Sequence, residues 1–270
     1  MSKLNSVSVA FLSSVLLLGT SLAAHSEDAK TPQAEAKPAS AVSGVKAWPT
    51  DEEVAAEGWE YSNDDDGVRV WRRDVEGSRV VAFRGETVID APIAKVVSVL
   101  DDTSRRLEWV HSAKETRKIR QVGTLERVEY NHTGAPWPVR DRDFVYLAKI
   151  ALDRTLKQVR IAIHSVADEA MPEADCCVRG EIAKSLYILT SVENGTKTHI
   201  TVEVNADPKG AIPKFIANIF QKSWPRKTLL GVKRQVQKED VKPLKMVEDY
   251  FEGKPVAGVD TPAVVKTTAK

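Results

Sequence analysis

The chain has 270 residues, with 39 basic against 38 acidic side chains. That balance excludes the basic footprint that nucleic acid or a strongly anionic membrane surface would demand. The only cysteines, Cys176 and Cys177, are neighbours and cannot staple distant parts of a fold, so stability must come from a hydrophobic core.

The chain opens on a targeting pattern. Lys3 supplies a positive start, residues 7–18 are mostly apolar, and Ser21-Leu22-Ala23 offers small residues to a signal peptidase. The apolar run is shorter than the ~20 residues a membrane helix needs. This predicts a signal peptide over 1–24, cut near Ala23 or Ala24, and an exported protein of a bacterial periplasm. Residues 25–47 are rich in Ala, Pro, Lys and Glu without apolar periodicity. They read as a disordered spacer, because such a segment cannot bury enough surface to offset its ordering entropy.

Residues 48–240 are compositionally even and long enough for one domain. Residues 51–57 predict a short capped helix before Trp59. Strands follow at 68–74 and 80–90, then a helix over 92–100 with Asp90 placed to cap it and Pro92 in its first turn. A second helix is predicted at 103–110. Six more strands are predicted at 113–122, 125–133, 143–152, 158–166, 176–192 and 197–205, with Asn194-Gly195 as a hairpin turn. A long amphipathic helix should run from beyond Gly210 to about 238. Ile212, Phe215, Ile216, Ile219 and Phe220 fall on one face at helical spacing, and Pro225 is expected to kink or split it. Residues 241–270 predict a loose tail in which Met246-Val247 and Tyr250-Phe251 could dock. The cysteines are expected as two buried thiols on a strand, with a vicinal disulfide as the alternative. The fold class is α+β, an antiparallel sheet gripping its last helix.

Four motifs carry more than periodicity does. Pro136-Trp137-Pro138 precedes Arg142-Asp143-Phe144-Val145, Cys177-Val178-Arg179-Gly180 follows, and Asp207-Pro208-Lys209-Gly210-Ala211-Ile212-Pro213 leads into the last helix. In that order and spacing the chain resembles the START (StAR-related lipid transfer) family. The resemblance implies a helix-grip fold: a curved antiparallel sheet around a long C-terminal helix, enclosing an apolar cavity that holds one lipid. The implied function is lipid binding and transfer in an extracytoplasmic compartment, with transient membrane contact, no cofactor and no nucleic-acid partner. A helix-grip enzyme of the cyclase or aromatase type and a ligand-sensing docking protein are the alternatives. No catalytic motif supports the former, and the five histidines are scattered.

Family spacing makes Arg106, in Arg106-Leu107-Glu108-Trp109, the candidate contact to a lipid head group, although Val110 stands where an Asp is usual. Phe144 matches one wall of a choline cage, but Asn131 and Ala183 occupy the other two positions, with Tyr130 adjacent to the first. The acid–arginine pair of sterol binders does not carry over, because Ala148 replaces the arginine and leaves Glu129 without its partner. Strand alternation puts Tyr146 on the face of Phe144. The candidate ligand-binding set is therefore Arg106, Trp109, Tyr130, Phe144, Tyr146, Ile212, Phe215, Ile216, Ile219 and Phe220.

Overall fold

Residues 49–78, 80–212 and 214–259 are described by a computed structural model, in which the side chains of 214–221 are left aside. Thr50 starts the fold with a reciprocal capping box. Its hydroxyl accepts from the Glu53 amide, and the Glu53 carboxylate accepts from the Thr50 amide, which fixes α1 (Asp51–Ala56). Beyond it come β1 (Glu60–Asp65), β2 (Val68–Arg73), β3 (Ala82–Ile89), α2 (Ile93–Asp101) and a 3₁₀ helix (Thr103–Glu108). The chain continues through β4 (Ala113–Gly123), β5 (Glu126–Thr133), β6 (Asp141–Asp153), β7 (Gln158–Ser165), β8 (Cys177–Arg179), β9 (Glu181–Val192) and β10 (Lys197–Asp207). It closes with α3 (Lys214–Val236) and α4 (Lys245–Phe251).

The strands form one open sheet in the order β1-β2-β3-β10-β9-β7-β6-β5-β4, antiparallel along that path, with β8 pairing parallel to the first residues of β6. One face carries the main core. Val68 and Val70, Phe83 and Ile89, Ile150, Val159 and Ile161, Tyr187 and Leu189, and Ile200 and Val202 meet α2 and α3 there. From α3 come Leu229, Val232 and Val236, all buried. The helix lies close to the sheet and its neighbours because two glycines leave room. A Cβ on Gly85 would sit 2.6 Å from the Pro225 Cβ, and one on Gly231 would sit 2.4 Å from the Trp109 carbonyl oxygen. The opposite face of the sheet carries two satellite clusters, one around Trp59 and Trp71 and one of Val128, Tyr130 and Val145.

Several expectations are corrected. Pro225 does not split α3, which runs unbroken from Lys214 to Val236; packing on the sheet outweighs the lost amide. Asp90 makes no cap, because Pro92 itself takes the N-cap position of α2. Gly180 divides the single strand expected over 176–192 into β8 and β9. The polar sequence of β1 hid a strand at the sheet edge, where it pairs only with β2. Cys176 and Cys177 are joined by a disulfide, and only Cys177 is buried. Of the expected loose tail, residues 241–251 are packed, and residues 260–270 lie outside the described residues. Val241, Val247 and Tyr250 are buried, the Leu244 amide bonds the Ala94 carbonyl, and Arg154 stacks on the Tyr250 ring at 4.3 Å.

Candidate functional site

Strand alternation sorts β5 into two faces. Arg127, Glu129 and Asn131 look toward the core side, and Val128, Tyr130 and His132 look away. Register then places Glu129 opposite Tyr146 of β6. Arg106, at the end of the 3₁₀ helix, reaches the same point.

Glu129 is the hub, with 1% exposure. Four side chains donate to its carboxylate: Arg106 at 2.6 Å, Tyr146 at 2.9 Å, Thr103 at 2.7 Å and Arg127. Arg106 also donates to the Tyr146 hydroxyl at 2.8 Å and to the Leu100 carbonyl at 3.1 Å. Arg127 is held in turn by Asp101. Burial alone would push the Glu129 carboxyl up, but Arg106 and then Arg127 outweigh it and hold it down at about 2. Burial likewise opposes the charge on Arg106, and Tyr146 and Glu129 overcome it, so the guanidinium is raised. The Tyr146 and Tyr187 hydroxyls are both pushed up, chiefly by burial. The result is a buried, charge-balanced network on the core side of the sheet.

Three groups near it are uncommitted. The Asn131 Oδ1 and Trp109 Nε1 atoms are buried without a hydrogen-bond partner. The Tyr187 hydroxyl sits in the field of Arg106 and Glu129, yet no described residue hydrogen-bonds to it. A half-open cleft of about 860 Å³ reaches the network from the side of the 240s segment, lined by Trp109, Arg127, Ile150, Gln235, Leu244 and Met246 among others.

The structure joins Arg106 and Tyr146 of the candidate set, lines the adjoining cleft with Trp109, and leaves Phe144 partly buried opposite Asn131. It removes Tyr130, which packs with Val128 and Val145 on the other face and lies under the Arg117 guanidinium at 5.3 Å. Ile212 is partly buried just before α3. Phe215, Ile216, Ile219 and Phe220 fall among the side chains outside the described residues. Glu129 does have its arginines, supplied by positions 106 and 127 in place of 148. The i, i+2 spacing of Arg127 and Glu129 was the available signal for the second of these. Arg142 bonds the carbonyls of Pro208 and Lys209 at 3.0 and 3.1 Å, and Asp143 pairs with Arg179, so both fix strand junctions.

An open, curved antiparallel sheet with its last long helix against one face defines the helix-grip class, and the polar network is buried where the 3₁₀ helix meets β5 and β6. The START domain family model matches residues 50–237, and the chain belongs to that family. An uncharacterised Pseudomonas aeruginosa protein is 31% identical over 184 residues, covering 68% of this chain and 89% of that protein. Mouse START domain-containing protein 10 is 28% identical over 168 residues, 60% of this chain and 55% of its own length. The chain therefore spans about half of that relative. Among solved structures, a STAR-related lipid transfer protein from Xanthomonas axonopodis superposes with TM-score 0.59 at 28% identity, covering 67% of this chain and 99% of that one. Human STARD10 shares the fold, with TM-score 0.62 at 22% identity over 74% and 84% of the two chains. START domains generally bind and transfer lipids.

Proposed function

We propose that this protein is a lipid carrier of an extracytoplasmic compartment, holding one ligand with a neutral, hydrogen-bonding head group. The carrying observation is the state of Arg106: its charge is already balanced by Glu129 inside the fold. An anionic head would have to compete with a carboxylate fixed by four donors. A hydroxyl or carbonyl needs only the uncommitted groups at Tyr187, Asn131 and Trp109, and each such bond contributes ~0.5–1.5 kcal/mol. The chain of such a ligand supplies the bulk of the affinity, at ~0.8 kcal/mol per CH₂ buried. Export rests on the signal-peptide pattern of residues 1–24. Transient membrane contact is supported by Trp137, 93% exposed on the loop between β5 and β6, since an indole ring suits a membrane interface.

Native mass spectrometry of the mature protein from its own host, followed by lipid extraction, tests this reading. One stoichiometric apolar ligand without an anionic head is expected. An anionic phospholipid as sole cargo, or an empty protein that refuses lipids, fatty acids and sterols alike, would overturn it. Tyr187→Phe should weaken the extracted ligand roughly 3–10-fold in a binding titration while leaving the fold intact.

A further inference from the structure

On the face of the sheet away from the ligand network, three metal-type donors converge that carriage does not use. Cys177 opens β8 and Cys176 precedes it in the exposed connection. The His132 Nε2 lies 3.4 Å from the Cys177 Sγ, and the two sulfurs and a His132 ring nitrogen all fall within 4.8 Å of one another. The placement comes from the backbone. Cys177 pairs in register with Asp141, the first residue of β6, and the Asp141 carboxylate meets the same imidazole nitrogen at 2.8 Å. That carboxylate is anchored by Lys114 at 2.6 Å and by the Ala135 amide at 2.9 Å. Arg140 donates to the carbonyls of Asp175 and Cys177, tying down the segment that carries the sulfurs.

We propose that Cys176, Cys177 and His132 form a redox-gated site for a thiophilic divalent cation of the Zn²⁺ type. With the sulfurs joined, neither is a thiolate and only the imidazole can coordinate. A dithiol supplies two electrons and two protons and is itself oxidised to a disulfide. A phosphine supplies the two electrons, water supplies the two protons, and the phosphine leaves as its oxide. Either breaks the S–S bond into two thiols. A divalent cation then replaces those two protons, forming two metal–sulfur bonds and one metal–nitrogen bond. Tetrahedral zinc with Zn–S of about 2.3 Å and Zn–N of about 2.0 Å sets S···N near about 3.5 Å and S···S near about 3.8 Å. The Cys177–His132 separation already matches the first value. The second needs only that the exposed Cys176 side chain turn once the bond is broken. The fourth position falls to water or to the Asp141 carboxylate, which stands beside the imidazole. A low-molecular-weight disulfide oxidant takes two electrons from the metal-bound thiolates and leaves as two thiols. This re-forms the Cys176–Cys177 bond and releases the cation, so disulfide and metal are mutually exclusive states. Metal uptake should also strengthen with pH, since two thiol protons leave.

The test uses the full mature chain, reduced anaerobically with a phosphine and checked by thiol titration. Cd²⁺ is titrated through the ultraviolet thiolate-to-metal charge-transfer band, then displaced with Zn²⁺. The site predicts one equivalent bound by the reduced protein and none by the oxidised protein. It also predicts loss of the band in Cys176→Ser and in Cys177→Ser. His132→Ala should retain a band but weaken Zn²⁺ at least roughly 10–100-fold, the loss that even an outer partner of a ligand causes. Three results would each overturn the assignment. They are two free thiols with no band, a disulfide that the reductant cannot open in the folded protein, and a His132→Ala variant with unchanged affinity. Circular dichroism of each variant separates loss of the site from loss of the fold.

Discussion

Glu129 shows how one residue can govern a site through its partners. Its carboxyl sits at about 2, below the ordinary carboxylate range. The folded state therefore holds fewer protons than the unfolded chain as acid is added, so stability is full above the unfolded value near ~4.3. It drains away as pH falls through that value toward the folded one, by on the order of 3 kcal/mol. Urea unfolding at pH 7 and at pH 3 should record about half of that loss, since pH 3 lies about midway between the unfolded and folded values. Glu129→Gln should be weaker at pH 7, because Arg106 and Arg127 then lack their carboxylate, and should show a flatter pH response. His199 adds acid sensitivity from higher pH. Burial, then Arg84 and Arg69, holds its imidazole down at about 4, so the unfolded chain takes up a proton first as pH drops below ~6.5. Arg106 and Tyr146 were legible in the sequence as candidate contacts, but their mutual partner was not. The three meet from a 3₁₀ helix and two strands, and side-chain type does not report a pairing across 23 or 17 residues. Tyr130 was misassigned for a simpler reason: a strand offset by one residue turns every side chain to the other face.

At the scale of elements, α3 depends on how closely backbone can approach backbone. Gly231 faces the Trp109 carbonyl, and a methyl there would lie 2.4 Å from that oxygen. Gly231→Ala therefore sets an intrinsic helix gain of about 1 kcal/mol against overpacking of about 1–3 kcal/mol. A net loss is expected in thermal unfolding, together with weaker ligand retention as α3 and Trp109 move apart. A more stable variant would mean that α3 shifts freely and that its seat is not fixed by this contact. Helix and strand periodicity located most elements, including the hairpin at Asn194-Gly195, where both residues take positive φ. It missed β1, whose Glu-Tyr-Ser-Asn-Asp-Asp sequence offers no apolar alternation. It also broke α3 at Pro225, because local propensity cannot weigh the contact with Gly85 that the sheet provides.

The molecule as a whole includes more than the family domain. The START match ends at residue 237, yet the chain continues into α4, which seats Val247 and Tyr250 against the domain. Tyr250 donates to the Leu152 carbonyl at 3.2 Å, and its own carbonyl accepts from Arg154 at 2.8 Å. Removing residues 240–270 should cost at least ~1.5–3 kcal/mol for the burial that each of these two side chains contributes. Differential scanning calorimetry of the truncated protein checks this, and an unchanged Tm would make α4 an ornament. The same truncation takes away Leu244 and Met246, one wall of the cleft beside Arg127, so it should also speed ligand exchange.

By itself the sequence determined the fold class, most of the elements in their order, and the family. Periodicity, turn residues and ordered motifs are local properties, and each acts over a few residues. The tertiary structure decided which charges neutralise one another, which face of β5 meets the ligand side, that the last segment packs, and that Cys176 and Cys177 join beside His132. These outcomes depend on strand register and on contacts between positions far apart in the chain, and no local preference encodes them.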